Sequence, residues 1–297
     1  MISVVIPLYN KEHAIRHTLE AVLGQTYQDF EIVIVNDGSS DNSVNEAQKV
    51  KDQRIRIITQ ENAGVSAARN RGIEESKYDL IAFLDADDEW KPTYLETQMA
   101  LAEKYPDCNV FVTNYEFRDS EGNVRPTIIR RLPFDSEDGI LTNYFEVASH
   151  SHPPICSITI MVRKTAIQEV GGFPVGIAAG EDLLTWARLA TRNDIAYSRK
   201  VASTYAIETF ERGKRTFRKP LIPDHVGNEL ENLHQNFKSN HIKNYIARWH
   251  KNRGIAFLHL SQRRECIKEF MKAIKYTPSN IKLYVYMVAA FLGKKSK

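Results

Sequence analysis

Tyr78-Asp79-Leu80-Ile81-Ala82-Phe83-Leu84-Asp85-Ala86-Asp87-Asp88 is the stretch that decides the fold. Its first part is a short run of large apolar residues, the pattern of a strand buried on both faces of a parallel sheet. It ends in Asp85, Asp87 and Asp88, whose carboxylates repel one another and add nothing to folding. A divalent cation would offset that charge, and Mg²⁺ or Mn²⁺ held by a few carboxylates typically also holds a phosphate. Open α/β sheets take their ligands at the carboxyl ends of their strands. The stretch reads as a metal-bridged nucleotide site, against the plainer alternative of a solvated acidic turn.

Working outward, strand and helix patterns alternate through the first third of the chain. Residues 3–7 and 30–35 are strand-like. Between them Ala14, Ile15, Leu19, Val22 and Leu23 form one apolar helical stripe. A short helix, a strand over 54–58 and a helix over 63–76 lead into the acidic stretch. This order predicts a parallel sheet with right-handed crossovers. Further on, residues 91–105 read as a helix, 110–117 and 157–162 as strands, and 181–192 as a helix. Residues from about 118 to 152 are polar, interrupted by proline, and fit no single pattern.

Beyond residue 209 the strand patterns stop, and helices are expected near 222–239, 241–260, 262–276 and 279–292. The expected organisation is therefore an α/β domain over 1–209 and a helical extension over 210–297. In the extension Gly254, Phe257, Cys266, Phe270, Ala273 and Pro278 fall at the positions of a tetratricopeptide-like unit, with a plain helical hairpin as the alternative. Such a unit cannot bury its own apolar face, so contact with another copy of the chain is one expectation for it.

Composition bounds the function. With 42% hydrophobic and 26% charged residues the chain is an ordinary globular one, and a net charge of +3 gives no reason to expect a nucleic-acid partner. Cys108, Cys156 and Cys266 are far apart, which reads as reduced thiols in a cytoplasmic protein and not as a zinc site. The immediate N-terminal strand leaves no room for a signal peptide. No apolar run reaches the ~20 residues of a membrane span. The basic stretch Lys294-Lys295-Ser296-Lys297 suggests at most a peripheral contact with the inner face of a membrane.

Other strand ends converge on the acidic stretch. Asn36-Asp37-Gly38-Ser39 brings Asp37 to the same sheet edge, able to accept a base N–H, although Asp-Gly-Ser is also a common turn and Asp41 a natural helix cap. Pro7-Leu8-Tyr9-Asn10 offers an aromatic ring for a base to stack on. Gly64-Val65-Ser66-Ala67-Ala68-Arg69-Asn70 opens a helix at that edge, where amides and an arginine suit phosphate, while its small residues equally suit close packing. Neither G-x-G-x-x-G after the first strand nor G-x-x-x-x-G-K-[ST] is present, against a Rossmann dehydrogenase or a P-loop enzyme.

Taken with Asp85-Ala86-Asp87-Asp88, Trp90, Gly171-Gly172-Phe173, Gly180-Glu181-Asp182 and Trp186, these segments resemble glycosyltransferase family 2 over roughly residues 1 to 207. The resemblance implies the A-type nucleotide-sugar transferase fold and an inverting transfer of one sugar from a nucleoside diphosphate, UDP first among them, to a glycan, lipid-linked or other hydroxyl acceptor. It implies that Asp37 meets the base with Pro7, Tyr9 and Asn10 around it. Arg69 lies near the nucleotide, Asp85 at the ribose or metal, and Asp87 on Mn²⁺ or Mg²⁺. Asp182 becomes the general base, with Glu181 the second candidate, and Asp88 a cap for the next helix. Two departures stand out. The processive Q-x-x-R-W pattern is absent, and Ser203-Thr204-Tyr205-Ala206-Ile207-Glu208 has no His where many members carry one. Arg212-Gly213-Lys214-Arg215 is an alternative contact for the diphosphate, whereas His150 and His152 are not counted in the site. A nucleotidyltransferase-like enzyme and a non-catalytic nucleotide-sugar-binding module remain the competing expectations.

Overall fold

The computed structural model describes residues 1–207, 219–237 and 240–292. The chain divides into two compact units, Met1–Thr142 with His152–Thr209, and Asn143–Ser151 with Phe210–Lys297. The first unit begins with the expected alternation: β1 (Ile2–Leu8), α1 (Ile15–Leu23), β2 (Phe30–Asp37), α2 (Ser43–Lys49), β3 (Ile55–Gln60), α3 (Val65–Glu75) and β4 (Leu80–Phe83). These strands pair in parallel in the order β3-β2-β1-β4. Every residue of β1 and β2 is buried, as the apolar runs demand of central strands covered on both faces.

The remainder widens this sheet. It adds β5 (Glu89–Trp90), α4 (Tyr94–Lys104), β6 (Val110–Asp119), β7 (Val124–Pro126), β8 (Asp138–Ile140), β9 (Ile160–Arg163), α6 (Lys164–Glu169), α7 (Glu181–Ala190) and β10 (Ile195–Ile207), while the intervening α5 (Tyr144–His150) groups with the other unit. The order continues from β4 as β9-β6-β10-β5, with β9 antiparallel to both of its neighbours and β6 parallel to β10. Residues 157–159, expected as strand, form a 3₁₀ turn in which the Thr159 hydroxyl accepts the Cys156 N–H at 3.0 Å. The polar stretch after residue 118 supplies the short β7, β8 and α5.

Two close packings set the site. Gly72 of α3 lies over β1, where an added Cβ would come within 2.2 Å of Val5 Cγ1, so only glycine lets the helix approach this near. Ile15, Leu19 and Val22 bury the apolar stripe of α1 on the sheet core. Both helices are thereby held close to the strand ends at which the ligand-type residues gather.

The second unit is helical: α5, α8 (His225–Asn236), α9 (Asn240–His259), α10 (Arg263–Tyr276) and α11 (Ile281–Leu292). Small residues meet large ones in the α9–α10 hairpin, where a Cβ on Gly254 would collide with the Phe270 ring at 2.6 Å. Phe257, Cys266, Phe270 and Ala273 are fully buried around that contact. All three cysteines are buried and free. Among the described residues no helix is long and apolar enough to cross a membrane. The stretches Arg212-Gly213-Lys214-Arg215 and Lys294-Lys295-Ser296-Lys297 lie outside the described residues.

Candidate active site

A cleft of about 210 Å³ opens at the carboxyl ends of β1, β2 and β4. Pro7 and Leu8 of β1 with Tyr9 just after it, Asp37 of β2, Val65, Ala68 and Arg69 of α3, and Asp85, Ala86 and Asp87 in the turn after β4 all line it, together with Lys11. Asn10 is not among these lining residues. It takes a left-handed conformation (φ 51°), and its Oδ1 accepts the Ser40 N–H at 2.9 Å, which clips the β1 loop to the β2 loop. Tyr9 is half exposed, its ring open to solvent.

Asp37 is buried, and its carboxylate organises the neighbouring loop before any ligand is considered. One oxygen accepts Gln60 Nε2 at 2.8 Å and the Ala63 N–H at 3.0 Å; the other accepts the Gly64 N–H at 2.8 Å. A carboxylate offers about four acceptor positions, so about one remains for a ligand. The turn beyond it needs glycine: Gly38 has φ +71°, and a Cβ there would lie 3.0 Å from the Asn62 nitrogen.

Arg69 is the hub. Its side chain is 4% exposed, it donates to Asp85 Oδ1 at 2.7 Å, and its Nη1 stands 3.6 Å from Glu181 Oε1. The guanidinium lies over the Phe173 ring at 5.1 Å, and Phe173 meets Trp186 edge-on at 5.4 Å. Asn70 fixes that ring from the helix side, its amide exchanging two 2.8 Å hydrogen bonds with the Phe173 backbone. Burial works against the charge on Arg69, but Asp85, Asp182 and Glu181 outweigh it and hold its pKa above the ordinary value. Nε and Nη1 are buried and have no hydrogen-bond acceptor among the described residues.

Glu181 and Asp182 form the first turn of α7. Burial raises both carboxyl pKa values. For Glu181 the neighbouring Asp182 adds to the rise, and for both Arg69 opposes it. Oδ1 of Asp182 also accepts the Leu183 N–H at 2.7 Å. The chemistry available is that of a carboxylate made more basic than usual beside a fixed cation.

The acidic stretch divides into three roles. Asp85 faces Arg69. Asp87 is partly exposed, and Lys11 Nζ lies 2.5 Å from its Oδ2. Lys11 was missed in the sequence; its one signal is its position, three residues past the end of β1. Asp88 does not cap a helix, because β5 follows it directly. It is buried, and its Oδ1 accepts the Ala206 N–H from β10 at 2.7 Å. Burial and then the charge of Asp85 push its carboxyl well above the ordinary range.

Other candidates are structural. Trp90 is buried, donates to the Ile158 carbonyl at 2.9 Å and stacks on Tyr94. His152 Nδ1 accepts the Ile128 N–H at 2.9 Å, and His150 contacts the Glu146 carbonyl within its own helix. A second group with ligating side chains, Asp224, His250 and Glu269, is buried in the helical unit. Arg253 Nε stands 3.1 Å from both carboxylates there, supplying the positive charge that a metal ion would bring.

Comparison with known proteins accords with this geometry. A glycosyltransferase of Rickettsia bellii is 34% identical over 65% of this chain and 26% of its own length. The chain spans about a third or less of the Rickettsia and Escherichia coli relatives it matches. A putative teichuronic acid biosynthesis glycosyltransferase of Bacillus subtilis, TuaG, is 27% identical over 79% of this chain and 90% of its own. The crystal structure of S. aureus TarS 1-349 in complex with UDP-GlcNAc superposes with a TM-score of 0.71 at 18% identity, covering 98% of this chain and 87% of that one. The fold is thus the A-type nucleotide-sugar transferase fold followed by C-terminal helices. The pattern of one family matches residues 3–171, a span that takes in every residue lining the cleft and leaves out Phe173 and the α7 carboxylates. The chain belongs to glycosyl transferase family 2.

Proposed function

We propose that the chain is a metal-dependent, inverting glycosyltransferase that moves one sugar from a nucleoside-diphosphate donor, UDP-linked in the leading reading, to an acceptor hydroxyl in polysaccharide biosynthesis. The observation that carries this reading is the convergence on Arg69. A buried cation, two of whose nitrogens have no hydrogen-bond acceptor among the described residues, joins Asp85 at the cleft to the basic carboxylates of α7. The names of relatives and fold neighbours support the pathway: TuaG is a putative teichuronic acid biosynthesis enzyme, and TarS was crystallised with UDP-GlcNAc and with UDP.

Asp37 retains about one acceptor position, which fits the single imide N–H of a uracil ring, with Pro7 and Tyr9 beside it. The residues present fit a divalent cation. Mg²⁺-type sites use one or two carboxylates and complete their shell with phosphate and water. Among the described residues, Asp85 and Asp87 each have one oxygen engaged by a cation. Those two aspartates would hold it, and when bound such an ion supplies Lewis-acid stabilisation of the departing diphosphate.

Asp182 takes the proton from the acceptor hydroxyl as that oxygen attacks the anomeric carbon from the side opposite the leaving group. Its raised pKa suits that task, and the charge of Arg69 opposes the rise that burial causes. Glu181 is the second candidate. No protein nucleophile is required. The test is a screen of nucleotide sugars for Mn²⁺-dependent thermal stabilisation and transfer, run alongside Asp87→Ala and Asp182→Asn. Asp87→Ala should lose metal-dependent stabilisation, and Asp182→Asn should bind donor without transferring sugar. Donor and metal binding unchanged in Asp87→Ala would remove the metal site, and full transfer by Asp182→Asn would remove the base.

A further inference from the structure

One face of α11 has no partner among the described residues. Ile281, Tyr284, Val285, Val288 and Phe291 are between 43% and 76% exposed, and their spacing places them along a single helical stripe. The opposite face packs on α10 through Leu283, Tyr286, Met287 and Ala290. Met271 of α10 is also exposed, at 59%. Scattered exposed apolar residues are normal on a protein surface, but a continuous row of this size marks a contact face.

The charge around this face says what it meets. Helices α10 and α11 carry six Lys and Arg against two Glu, a net charge of +4 where the whole chain totals only +3. Lys251 of α9 is half buried, and burial lowers its pKa. The charges that act on it, those of Arg248 and Lys282, are both cations and lower it further. A second copy of the chain seated face to face would bring the same positive field against itself. An anionic surface would neutralise it.

We propose that the exposed stripe of α11 and the basic residues beside it form a docking face for an anionic lipid bilayer, with the apolar side chains entering the headgroup region and Lys251 and Lys282 facing phosphate. This inference is independent of the chemistry assigned to the cleft.

The experiment is co-sedimentation of the 297-residue chain with vesicles of phosphatidylcholine alone and of phosphatidylcholine mixed with phosphatidylglycerol. Binding should require the anionic lipid and weaken with added salt. The double variant Val285→Glu, Val288→Glu should lower partitioning about tenfold or more, since two apolar side chains leave the interface and two charges enter the field of the lipid. Both positions are more than half exposed, so circular dichroism should be unchanged. Hydrogen exchange on the unmodified chain provides a second measurement, in which α11 amides should gain protection with the anionic vesicles. Equal binding to both vesicle types, no protection of α11, or a lipid-free dimer that the double variant dissociates would each overturn the proposal.

Discussion

Replacing Arg69 with Met tests the hub of the site directly. Methionine keeps much of the length and the contact with Phe173 but removes a buried cation that faces Asp85, Glu181 and Asp182. Breaking a buried ion pair from one side costs about 3–5 kcal/mol, because the remaining charge is left uncompensated. Asp85 is 27% exposed and can regain water, which favours the lower end, about 3 kcal/mol. The loss should depend on pH in a defined direction. Glu181 and Asp182 already have pKa values raised above their ordinary 4.5 and 3.8, and without Arg69 they rise further. A carboxyl with a raised native pKa contributes stability below its unfolded value, and that contribution is lost as pH rises through the native value. The variant should therefore be most destabilised near neutral pH, with the deficit narrowing as falling pH passes through the raised values of these two carboxyls. Urea unfolding followed by tryptophan fluorescence in a Trp249→Phe background reports the first unit alone, since Trp90 and Trp186 both lie within it. A neutral-pH loss below about 1 kcal/mol, or one that does not shrink in acid, would refute the view that Arg69 neutralises these three groups.

Lys11→Met should tighten Mn²⁺ binding to the ligand-free protein by up to about fivefold, because an exposed pair worth ~0.2–1 kcal/mol no longer competes for Asp87; calorimetry that finds weaker binding would contradict this. If Asp182 is the base, transfer activity should fall as pH drops through its raised pKa, leaving an acid limb above the ordinary 3.8; a limb unchanged in Asp182→Asn would assign the titration elsewhere. Gly38→Ala forces a side chain into φ +71° against Asn62 and should cost ~1–3 kcal/mol, read as a lowered melting temperature. Phe270→Ala should cost the helical unit about 3–5 kcal/mol, seen in Trp249 fluorescence during denaturation; a loss under 1 kcal/mol would mean that the hairpin core does not depend on this ring.

The parallel half of the sheet was legible because β1, β2 and β4 are dominated by large apolar residues and alternate with helical patterns. The distal half was not. β10 is the longest strand, yet Ser198-Arg199-Lys200 interrupts its pattern at the point where its register against β6 shifts. β7 and β8 are three-residue strands too short for any periodicity. Within the site, residue types at strand ends located Asp37, Asp85, Asp87 and Tyr9 at one cleft. The hydrogen bonds that tie Asn10 to Ser40, Asp88 to Ala206 and Lys11 to Asp87 join residues far apart in the chain, so spacing carried no sign of them.

Asp37 serves the architecture and the cleft with the same two oxygens. A change there unties the 60–64 loop at Gln60, Ala63 and Gly64 at the moment it alters the pocket. Drift at this position is penalised twice, whatever base the donor carries. Tyr9, half exposed on the same wall, is much freer to vary. Divergence in nucleotide preference among chains built this way should therefore accumulate at the Tyr9 side of the cleft and leave the aspartate in place.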